Sequence, residues 1–496
     1  MLLRDVVTTL PASTPLIPQS LTRDYLLHHR LCPRDFPRPG VVRVAAAPDA
    51  LLEDAVEDLE TLFRCAIEVE PTSLDEVHRL IERNTVGSER SVELESTSTT
   101  EDYYADVRDL ANEAPVVRYV NLLVREAYDA AASDIHLEAR REGLTVRFRL
   151  DGVLARGVEC PPEYHQAVVS RIKLLADLDI AERRKPQDGR IRVRLESREL
   201  DVRVSTVPTM HGESVVLRLL DRGGRPVTLE ELGMSRAVLD SVRRTALRPH
   251  GLCLVTGPTG SGKTTTLYAA LQLRALDREK VITVEDPIEY QLSGITQMPV
   301  HATAGVTFAS ALRSILRQDP DVIMIGEMRD CDTAEIAVQA AMTGHLVLST
   351  LHTNDATSAI PRMIDLGIPE YLIAATVEGV LAQRLVRCIC PSCREEYEPI
   401  PELLQAIGHT TPNVGCFYRG VGCGECRGTG FRGRTGLFEF LTVTPDVRDA
   451  VTRGATKTEL RALAVRAGLV SLEHDAWRKI ASAITTVEEV SRVVQE

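Results

Sequence analysis

The chain lacks several features that would mark a membrane or secreted protein. Aromatic residues are few, at 4% of the chain with one tryptophan. No apolar run is as long as a transmembrane helix, which needs about 18 residues. Its first twenty residues contain no apolar core followed by a small-residue cleavage site, so they do not resemble a secretory signal. We therefore expect any attachment to a membrane to come through partners.

An excess of positive charge is also absent, because the formal net charge is −13. Proteins that coat nucleic acid without sequence preference normally carry a basic surface. Nucleic acid is therefore not an expected partner, although one local basic groove remains compatible with the composition. The chain is otherwise ordinary for a globular protein, with 44% hydrophobic and 26% charged residues. Its 496 residues allow about three domains.

Polar and turn-rich stretches divide the sequence into segments. Residues 1–86 mix helical apolar patterns with prolines, and we predict a separate N-terminal domain there. Residues 87–102 are rich in Ser, Thr and Glu and are predicted to be a linker. Residues 103–222 alternate apolar and polar side chains, which predicts an α+β domain that ends in a turn-rich hinge. Residues 223–496 alternate short apolar runs with helical patterns, which predicts an α/β domain with a largely parallel sheet.

Several individual elements can be predicted from periodicity. Helices are expected over residues 51–63 and 115–132. Half-buried strands are expected over residues 144–150 and 200–204. Four apolar runs are expected to be buried strands of the last domain: residues 252–256, 281–284, 322–325 and 346–349.

A glycine-rich segment follows the first of these buried runs. Residues 257–264 read GPTGSGKT and match the pattern G-x-x-x-x-G-K-[ST] without a mismatch, and a helical run at 265–273 follows. Glycines let backbone N–H groups converge on phosphate oxygens at the positive end of a helix. The predicted nucleotide-binding residues are Gly257, Pro258, Thr259, Gly260, Ser261, Gly262, Lys263, Thr264 and Thr265. Lys263 is expected to reach the β- and γ-phosphates of ATP, and Thr264 to supply a hydroxyl to Mg²⁺.

Two other apolar runs end in carboxylates. Glu327 follows the run at 322–325 and could polarise the attacking water or engage Mg²⁺ through water. Glu285 begins a second acidic strand end, together with Asp286 and Glu289. A core strand with a solvated acidic end is the alternative for each, but two such ends beside a phosphate loop favour a role in hydrolysis.

Six of the eleven cysteines cluster between Cys388 and Cys426. Two C-x₂-C pairs with 29 residues between them are typical of structural zinc, because four thiolates complete a closed tetrahedron. The predicted ligands are Cys390, Cys393, Cys423 and Cys426. The gap is longer than in common zinc ribbons, and Cys388 remains an alternative ligand.

The motifs, taken in order, resemble the secretion ATPases of the type II secretion and type IV pilus superfamily. The resemblance covers about residues 105 to 496 and is strongest to the type II secretion ATPase. It is carried by these segments: SDIHLE, RLDG, DVRVSTVPTMHGE, GPTGSGKTTT, TVEDPIEY, LRQDPDVIMIGEMRD and TGHLVLSTLHTNDA.

The resemblance implies a homo-hexameric ring. Each subunit would have a PAS-like N2 domain joined flexibly to a RecA-like domain, with ATP and Mg²⁺ between them and a zinc lobe at about 388–436. Glu285 would lie in the family's Asp box and Glu327 would be its catalytic Walker B glutamate. His345 and His352 would lie in its His box. A histidine on an apolar strand is often only a core residue. For these two we favour phosphate sensing or coupling of a strand to a helix over general-base catalysis.

Four arginines match family positions that approach the phosphates across a domain or subunit boundary: Arg203, Arg218, Arg313 and Arg317. Arg313 and Arg317 are four residues apart and would share a face of a helix. An arginine supplied in this way is worth roughly 10³–10⁵ in the rate of phosphoryl transfer. Surface arginines in ordinary ion pairs are the alternative.

The resemblance implies a cytoplasmic ATPase that powers type II protein secretion through pseudopilus assembly. It would meet the inner membrane only through partner proteins, which its N-terminal domain would bind. The zinc lobe and the N-terminal segment are typical of secretion and pilus-extension members, so a type IV pilus extension ATPase is the main alternative. A RecA-like ATPase that translocates nucleic acid is a further alternative, and it would need a basic stripe with stacking aromatics. The intact phosphate-loop lysine and Glu327 do not favour a scaffold without turnover.

Overall fold

The computed structural model describes residues 23–38, 41–48, 50, 52–63, 65–85, 92–95, 114–195, 198–221, 227–301, 304–406 and 416–494. Internal contacts divide the chain into two compact units. The first comprises residues 1–95 with 192–199, and the second comprises residues 96–191 with 200–496. None of the helices in the described ranges combines the length and the apolarity that crossing a bilayer requires.

The first unit contains a three-stranded sheet packed with helices. Its elements are α1 (Arg23–His29), β1 (Leu31–Arg38), β2 (Val41–Ala46), α2 (Glu53–Phe63), β3 (Ala66–Pro71), α3 (Leu74–Thr85) and β4 (Val92–Glu95). Strand β2 pairs antiparallel with β1 and parallel with β3. The helix predicted over 51–63 is confirmed as α2. The sheet was not predicted, because β1 contains two prolines. Proline argues against a strand unless the strand lies at the edge of a sheet.

Part of the predicted linker is a strand. Residues 92–95 form β4 and pair antiparallel with residues 192–195 of the same unit. The linker prediction is therefore wrong for these four residues, because their alternation of apolar and acidic side chains suits a strand edge better than a coil. Residues 87–91 and 96–102 lie outside the described ranges.

The amino-terminal part of the second unit is an α+β domain, as predicted. Its elements are α4 (Ala114–Asp129), β5 (Asp134–Arg140), β6 (Gly143–Leu150), β7 (Val153–Arg156), α5 (His165–Leu175), β8 (Gln187–Leu195), β9 (Arg198–Thr209) and β10 (Gly212–Asp221). The end of β8 and the start of β9, within residues 192–199, are grouped with the first unit. The strand order is β8-β9-β10-β5-β6-β7. Alternate side chains of β6 are buried, namely Leu144, Val146 and Phe148, which is the pattern that predicted the strand. Most of the predicted hinge, at 222–226, lies outside the described ranges.

The remaining part of the second unit is built on a mostly parallel sheet. Its strands are β11 (Gly251–Thr256), β12 (Val281–Glu285), β13 (Thr296–Pro299), β14 (Val322–Ile325), β15 (Leu346–Leu351), β16 (Val377–Ile389) and β19 (Phe431–Thr442). They lie in the order β13-β12-β14-β15-β11-β16-β19, and in this sheet only the β16–β19 pair is antiparallel. All residues of β11, β12, β14 and β15 are buried, which confirms the four predicted runs.

Helices flank this sheet. They are α6 (Arg236–Ala246), α7 (Lys263–Leu271), α8 (Phe308–Ile315), α9 (Cys331–Met342), α10 (Ala359–Asp365) and α11 (Glu370–Thr376). The apolar cores on both faces are formed by buried strand residues such as Leu254 and Met324 together with helix residues such as Leu312 and Tyr268. Since the carboxyl ends of parallel strands share one edge of a sheet, the loops after β11, β12, β14 and β15 meet there.

A small lobe and a helical bundle complete the second unit. The lobe contains β17 (Arg394–Tyr397), α12 (Pro401–Ala406) and β18 (Phe417–Gly420), and it lies in sequence between β16 and β19. The bundle follows β19 and comprises α13 (Pro445–Thr452), α14 (Lys457–Arg466), α15 (Leu472–Ala481) and α16 (Val487–Val494). Side chains of Thr444, Thr456 and Ser471 cap α13, α14 and α15 in turn. Glu489 of α16, which is 1% exposed, pairs with Arg387 of β16 at 2.7 Å.

Candidate active site

The glycine loop joins the end of β11 to the start of α7 and makes a turn that only glycine tolerates well. Gly260 and Gly262 have φ angles of 79° and 84°, in the left-handed region. A Cβ atom on Gly257 would lie 2.4 Å from the carbonyl oxygen of Gln383, and one on Gly262 would lie 2.8 Å from the Nε2 atom of Gln383. Close contact with Gln383 of β16 therefore restricts the loop conformation, in addition to the loop's own glycines.

Lys263 lies at the first position of α7. Its Nζ donates to the carbonyl oxygens of Gly257 and Pro258, each at 2.9 Å, so the ammonium is held across the loop. Burial lowers the pKa of Lys263 to about 8; the charge of Glu327 opposes the shift and that of Arg384 adds to it. A partly desolvated ammonium beside converging backbone N–H groups suits an anionic ligand such as a phosphate chain.

Glu327 follows β14 at the same edge of the sheet. Its side chain is 17% exposed; one carboxylate oxygen lies 2.8 Å from Arg329 Nη2 and the other 3.6 Å from His352 Nε2. The carboxylate also influences the pKa of Lys263. The structure therefore brings Glu327, Lys263 and His352 together, as the sequence predicted for a site of hydrolysis.

His352 and His345 lie at opposite edges of the sheet. His352 follows β15 and is 45% exposed beside Glu327; burial and the charge of Lys263 lower its pKa, so the imidazole is neutral at neutral pH. His345 precedes β15, and its Nδ1 lies 3.0 Å from the carbonyl oxygen of Ala340 at the end of α9. Six strand residues separate the two histidines, and a strand of that length spans about 20 Å. The placement of His345 does not support phosphate sensing, but its contact with Ala340 agrees with the other predicted role, the coupling of a strand to a helix.

Glu285 is a buried residue with its carboxylate already bonded. It is 2% exposed, and it accepts hydrogen bonds from Tyr268, from Thr283 at 2.6 Å and from Gln297 at 3.1 Å. These contacts link α7, β12 and β13. The geometry therefore supports a role for Glu285 in holding α7 against the sheet and does not support direct contact with the attacking water.

Arg203 and Arg218 are cross-strand partners on β9 and β10. Arg203 Nη2 donates to the carbonyl oxygen of Ile288 at 3.3 Å, which brings it to the acidic segment after β12. Arg218 is 61% exposed and pairs with Asp134 at 2.9 Å. The structure thus brings one of these two arginines to the acidic segment and holds the other on its own sheet.

Arg313 and Arg317 are exposed at the end of α8. The α-helix ends at Ile315 and continues as a single 3₁₀ turn, Leu316–Gln318, so the two arginines follow one continuous helical path. Arg317 donates to the carbonyl oxygen of Arg313 at 2.8 Å and to Ser314 Oγ at 3.3 Å. Within the described ranges neither guanidinium has an acidic partner within ion-pair distance.

Sequence reasoning missed the residues that support this edge of the sheet. Thr266 of α7 donates to the Oε1 atom of Gln383 at 2.6 Å. Thr256 contacts Thr353 through their hydroxyls at 2.7 Å, and Arg384, 5% exposed, donates to Asn354. Gln383 and Arg384 belong to no motif. The threonines and Asn354 lie inside or beside predicted segments, but no spacing pattern assigned them a role.

The four predicted cysteine ligands form one group, with their sulfur atoms within 4.8 Å of one another. Sγ–Sγ distances are 3.9 Å for Cys390–Cys423, 3.8 Å for Cys393–Cys426 and 3.7 Å for Cys423–Cys426. A tetrahedral site with Zn–S bonds of about 2.3 Å has edges of about 3.8 Å. The geometry therefore fits a tetrahedral metal ion, and Cys388 is not part of the group.

A family model described as type II/IV secretion system protein matches residues 109–492. The chain belongs to the type II/IV secretion system protein family. This confirms the resemblance found in the sequence.

Two relatives span nearly the whole chain. A type II secretion system protein E of Aeromonas hydrophila is 43% identical over 507 aligned residues, which cover 99% of this chain and 98% of that protein. The type IV pilus assembly ATPase PilB of Myxococcus xanthus is 41% identical, with coverage of 97% and 86%. Both alignments therefore extend over nearly all of this chain and over most of each relative.

A solved structure supports the fold. The X-ray structure of the Legionella pneumophila ATPase DotB matches with a TM-score of 0.57 at 20% sequence identity, over 76% of this chain and 95% of that chain. At this identity the likeness bears on the fold alone. The RecA-like architecture predicted from the motifs is confirmed for this family member.

Proposed function

We propose that the chain is an ATPase that powers type II protein secretion through pseudopilus assembly. The proposal is based on one observation: the glycine loop, Lys263, Glu327 and His352 lie close together at the carboxyl edge of the parallel sheet. A loop of this kind grips a triphosphate, and an adjacent carboxylate can orient water for attack on the γ-phosphorus.

In the proposed reaction ATP lies over α7 with its phosphates against the backbone of residues 257–264. Lys263 exchanges its carbonyl partners for β- and γ-phosphate oxygens, and the Thr264 hydroxyl would hold Mg²⁺, which neutralises charge on those oxygens. Glu327 accepts a hydrogen bond from the attacking water, and neutral His352 beside it responds to loss of the γ-phosphate. ADP and inorganic phosphate are the products.

Arginine residues are proposed to complete the site when subunits close. Arg203 already contacts the segment after β12, and Arg313 and Arg317 are exposed without acidic partners in the described ranges. The family resemblance supports a homo-hexameric ring in which such arginines approach ATP from a neighbouring subunit. Hydrolysis would then depend on closure of the ring, and release of phosphate would reopen it.

The cysteine group is proposed to hold structural Zn²⁺. Four thiolates leave no open coordination position, so the ion would stabilise the lobe between β16 and β19 and take no part in hydrolysis. Metal binding at such sites contributes on the order of 10 kcal/mol to folding.

Two proposals concern the setting of the motor. The N-terminal segment, residues 1–86, is proposed to dock on inner-membrane components of the machine from the cytoplasmic side. Domain boundaries at 103–222 and 223–496 remain predictions. The alignment with the Aeromonas protein covers 99% of this chain, which supports including the N-terminal segment in the proposal.

A pilus-assembly ATPase is the second candidate, because the Myxococcus relative matches almost as well. The two can be separated in the organism of origin by replacing the gene with a Lys263→Ala copy. Loss of exported enzymes from the medium, with surface pili retained, is the expected result. Loss of pili with normal export would overturn the secretion proposal in favour of pilus extension.

A further inference from the structure

The segment after β15, residues 352–358, connects directly to the catalytic edge of the sheet, and we refer to it as the 352–358 loop. Its first residue is His352, which faces Glu327 at 3.6 Å. The backbone N–H of Thr353 donates to Thr256 Oγ1 at 2.8 Å, immediately before the glycine loop. The position of this loop therefore sets the position of His352 relative to Glu327.

Asp355 organises the opposite side of the loop. Its carboxylate accepts hydrogen bonds from Thr357 Oγ1 at 2.7 Å and from the Ser358 N–H and hydroxyl, each at 2.8 Å. The fourth donor comes from outside the loop, since Lys457 Nζ of α14 lies 2.8 Å away. Burial alone would raise the pKa of Asp355, but these donors outweigh it and lower the pKa to about 2.

A second attachment lies one helical turn further along α14. The backbone N–H of Ala356 donates to Glu439 Oε1 at 2.9 Å, and Glu439, 1% exposed on β19, pairs with Arg461 at 3.3 Å. Lys457 and Arg461 are four residues apart and share one face of the helix.

The start of α14 is itself fixed. The Thr456 side chain accepts from the N–H of Glu459, and the Glu459 side chain accepts from the N–H of Thr456 at 2.8 Å. This capping box sets where the helix begins and therefore where Lys457 stands.

We propose that α14 is the element that positions the 352–358 loop for hydrolysis. Lys457 and Arg461 are positioning residues that act through Asp355 and Glu439. The inference rests on the proposed ATPase function. It goes beyond that function by making the rate of hydrolysis depend on where the carboxyl-terminal bundle lies against the sheet.

The test is steady-state ATP turnover of the full chain carrying Lys457→Met. Loss of the ion pair frees the loop, so kcat is expected to fall about ten- to a hundredfold, because small misplacements of catalytic groups carry costs of that size. The KM for ATP is expected to stay within about twofold, since no direct phosphate ligand is changed. Lys457→Arg keeps the charge and should retain most of the activity.

Arg466→Met is the matched control, because Arg466 is exposed in the last turn of the same helix and its change also removes one positive charge. Its kcat should equal that of the wild type. An Asp355→Asn, Lys457→Met double variant should be no slower than the slower single variant, because the two residues act through one contact.

Wild-type kcat in Lys457→Met would overturn the inference. So would an equal loss in Arg466→Met, or a loss of kcat accompanied by an equal loss of nucleotide affinity and thermal stability. Absence of turnover in the wild-type ring would instead overturn the proposed function itself, so the two failures can be told apart.

Discussion

At the residue scale, the chemistry of the site depends most on the burial of Lys263. Its ammonium is partly desolvated and held by two carbonyl oxygens of the glycine loop. That burial lowers its pKa to about 8, so the ammonium loses its proton in a pH range in which binding can be measured. A bound phosphate would favour the charged form, so the free and bound states of the protein take up protons differently.

This difference predicts a pH-dependent affinity for ATP. Below pH 8 the free protein already carries the charge and affinity should be constant. As the pH rises through about 8 the free ammonium loses its proton, so binding must also take up a proton and should weaken by about tenfold for each further pH unit. Equilibrium binding of a fluorescent ATP analogue between pH 7 and pH 9.5 measures this. A Lys263→Arg variant, charged throughout, should lose this dependence, and a flat wild-type profile would contradict the account.

A second prediction concerns two glycines of the same loop. Gly260 and Gly262 have similar positive φ angles, but a Cβ atom meets nothing within 4 Å at Gly260, whereas at Gly262 it meets Gln383 at 2.8 Å. Gly260→Ala should therefore cost only backbone strain, about 1–2 kcal/mol. Gly262→Ala should lower the thermal unfolding midpoint further, because the buried amide of Gln383 must move. Equal shifts of the midpoint in calorimetry would show that the close approach to β16 is unimportant.

At the element scale, the cysteine lobe makes a separate prediction. One Zn²⁺ per chain is expected by elemental analysis, and replacing Cys423 with serine should remove it because a closed four-thiolate site needs all its ligands. Cys388→Ser should retain the metal, since its sulfur is outside the group. Metal loss in the Cys388 variant, or full metal content in the Cys423 variant, would refute this assignment.

The buried strands and the glycine loop could be predicted because their signals are local. Each of the four apolar runs lies in one stretch of chain, and the loop is recognisable between a strand and a helix. Gln383 and Lys457 could not be predicted, because they reach the site from positions more than 100 residues away in sequence from Thr266 and Asp355, respectively. Hydrophobic periodicity in the sequence does not reveal contacts between such distant residues.

The two histidines show a different limit. They lie in one short motif, so sequence reasoning gave both the same two possible roles, phosphate sensing or coupling of a strand to a helix. The strand between them is fully extended and carries one to each edge of the sheet. Likewise Glu285 looks catalytic from its position at a strand end, yet the hydrogen bonds from Tyr268, Thr283 and Gln297 occupy its carboxylate. These are tertiary facts that motif spacing does not contain.

At the scale of the whole molecule, the exposed arginines of α8 are proposed to act on a neighbouring subunit. If so, Arg313→Ala and Lys263→Ala chains should each be inactive alone yet partly recover ATP turnover when mixed, because a ring can then combine an intact loop with an intact arginine from the next subunit. Turnover measured across mixing ratios tests this. Failure to recover at any ratio, with mixed rings demonstrated by size, would contradict action between subunits.

The most direct test of the whole account is ATP turnover of the assembled protein carrying Glu327→Gln, with Glu335→Gln on the exposed side of α9 as the matched control. We predict that Glu327→Gln still binds ATP with Mg²⁺ but turns it over at least about a hundredfold more slowly, as loss of a positioned base requires. The Glu335 variant should match the wild type. Near wild-type turnover in Glu327→Gln would contradict the account.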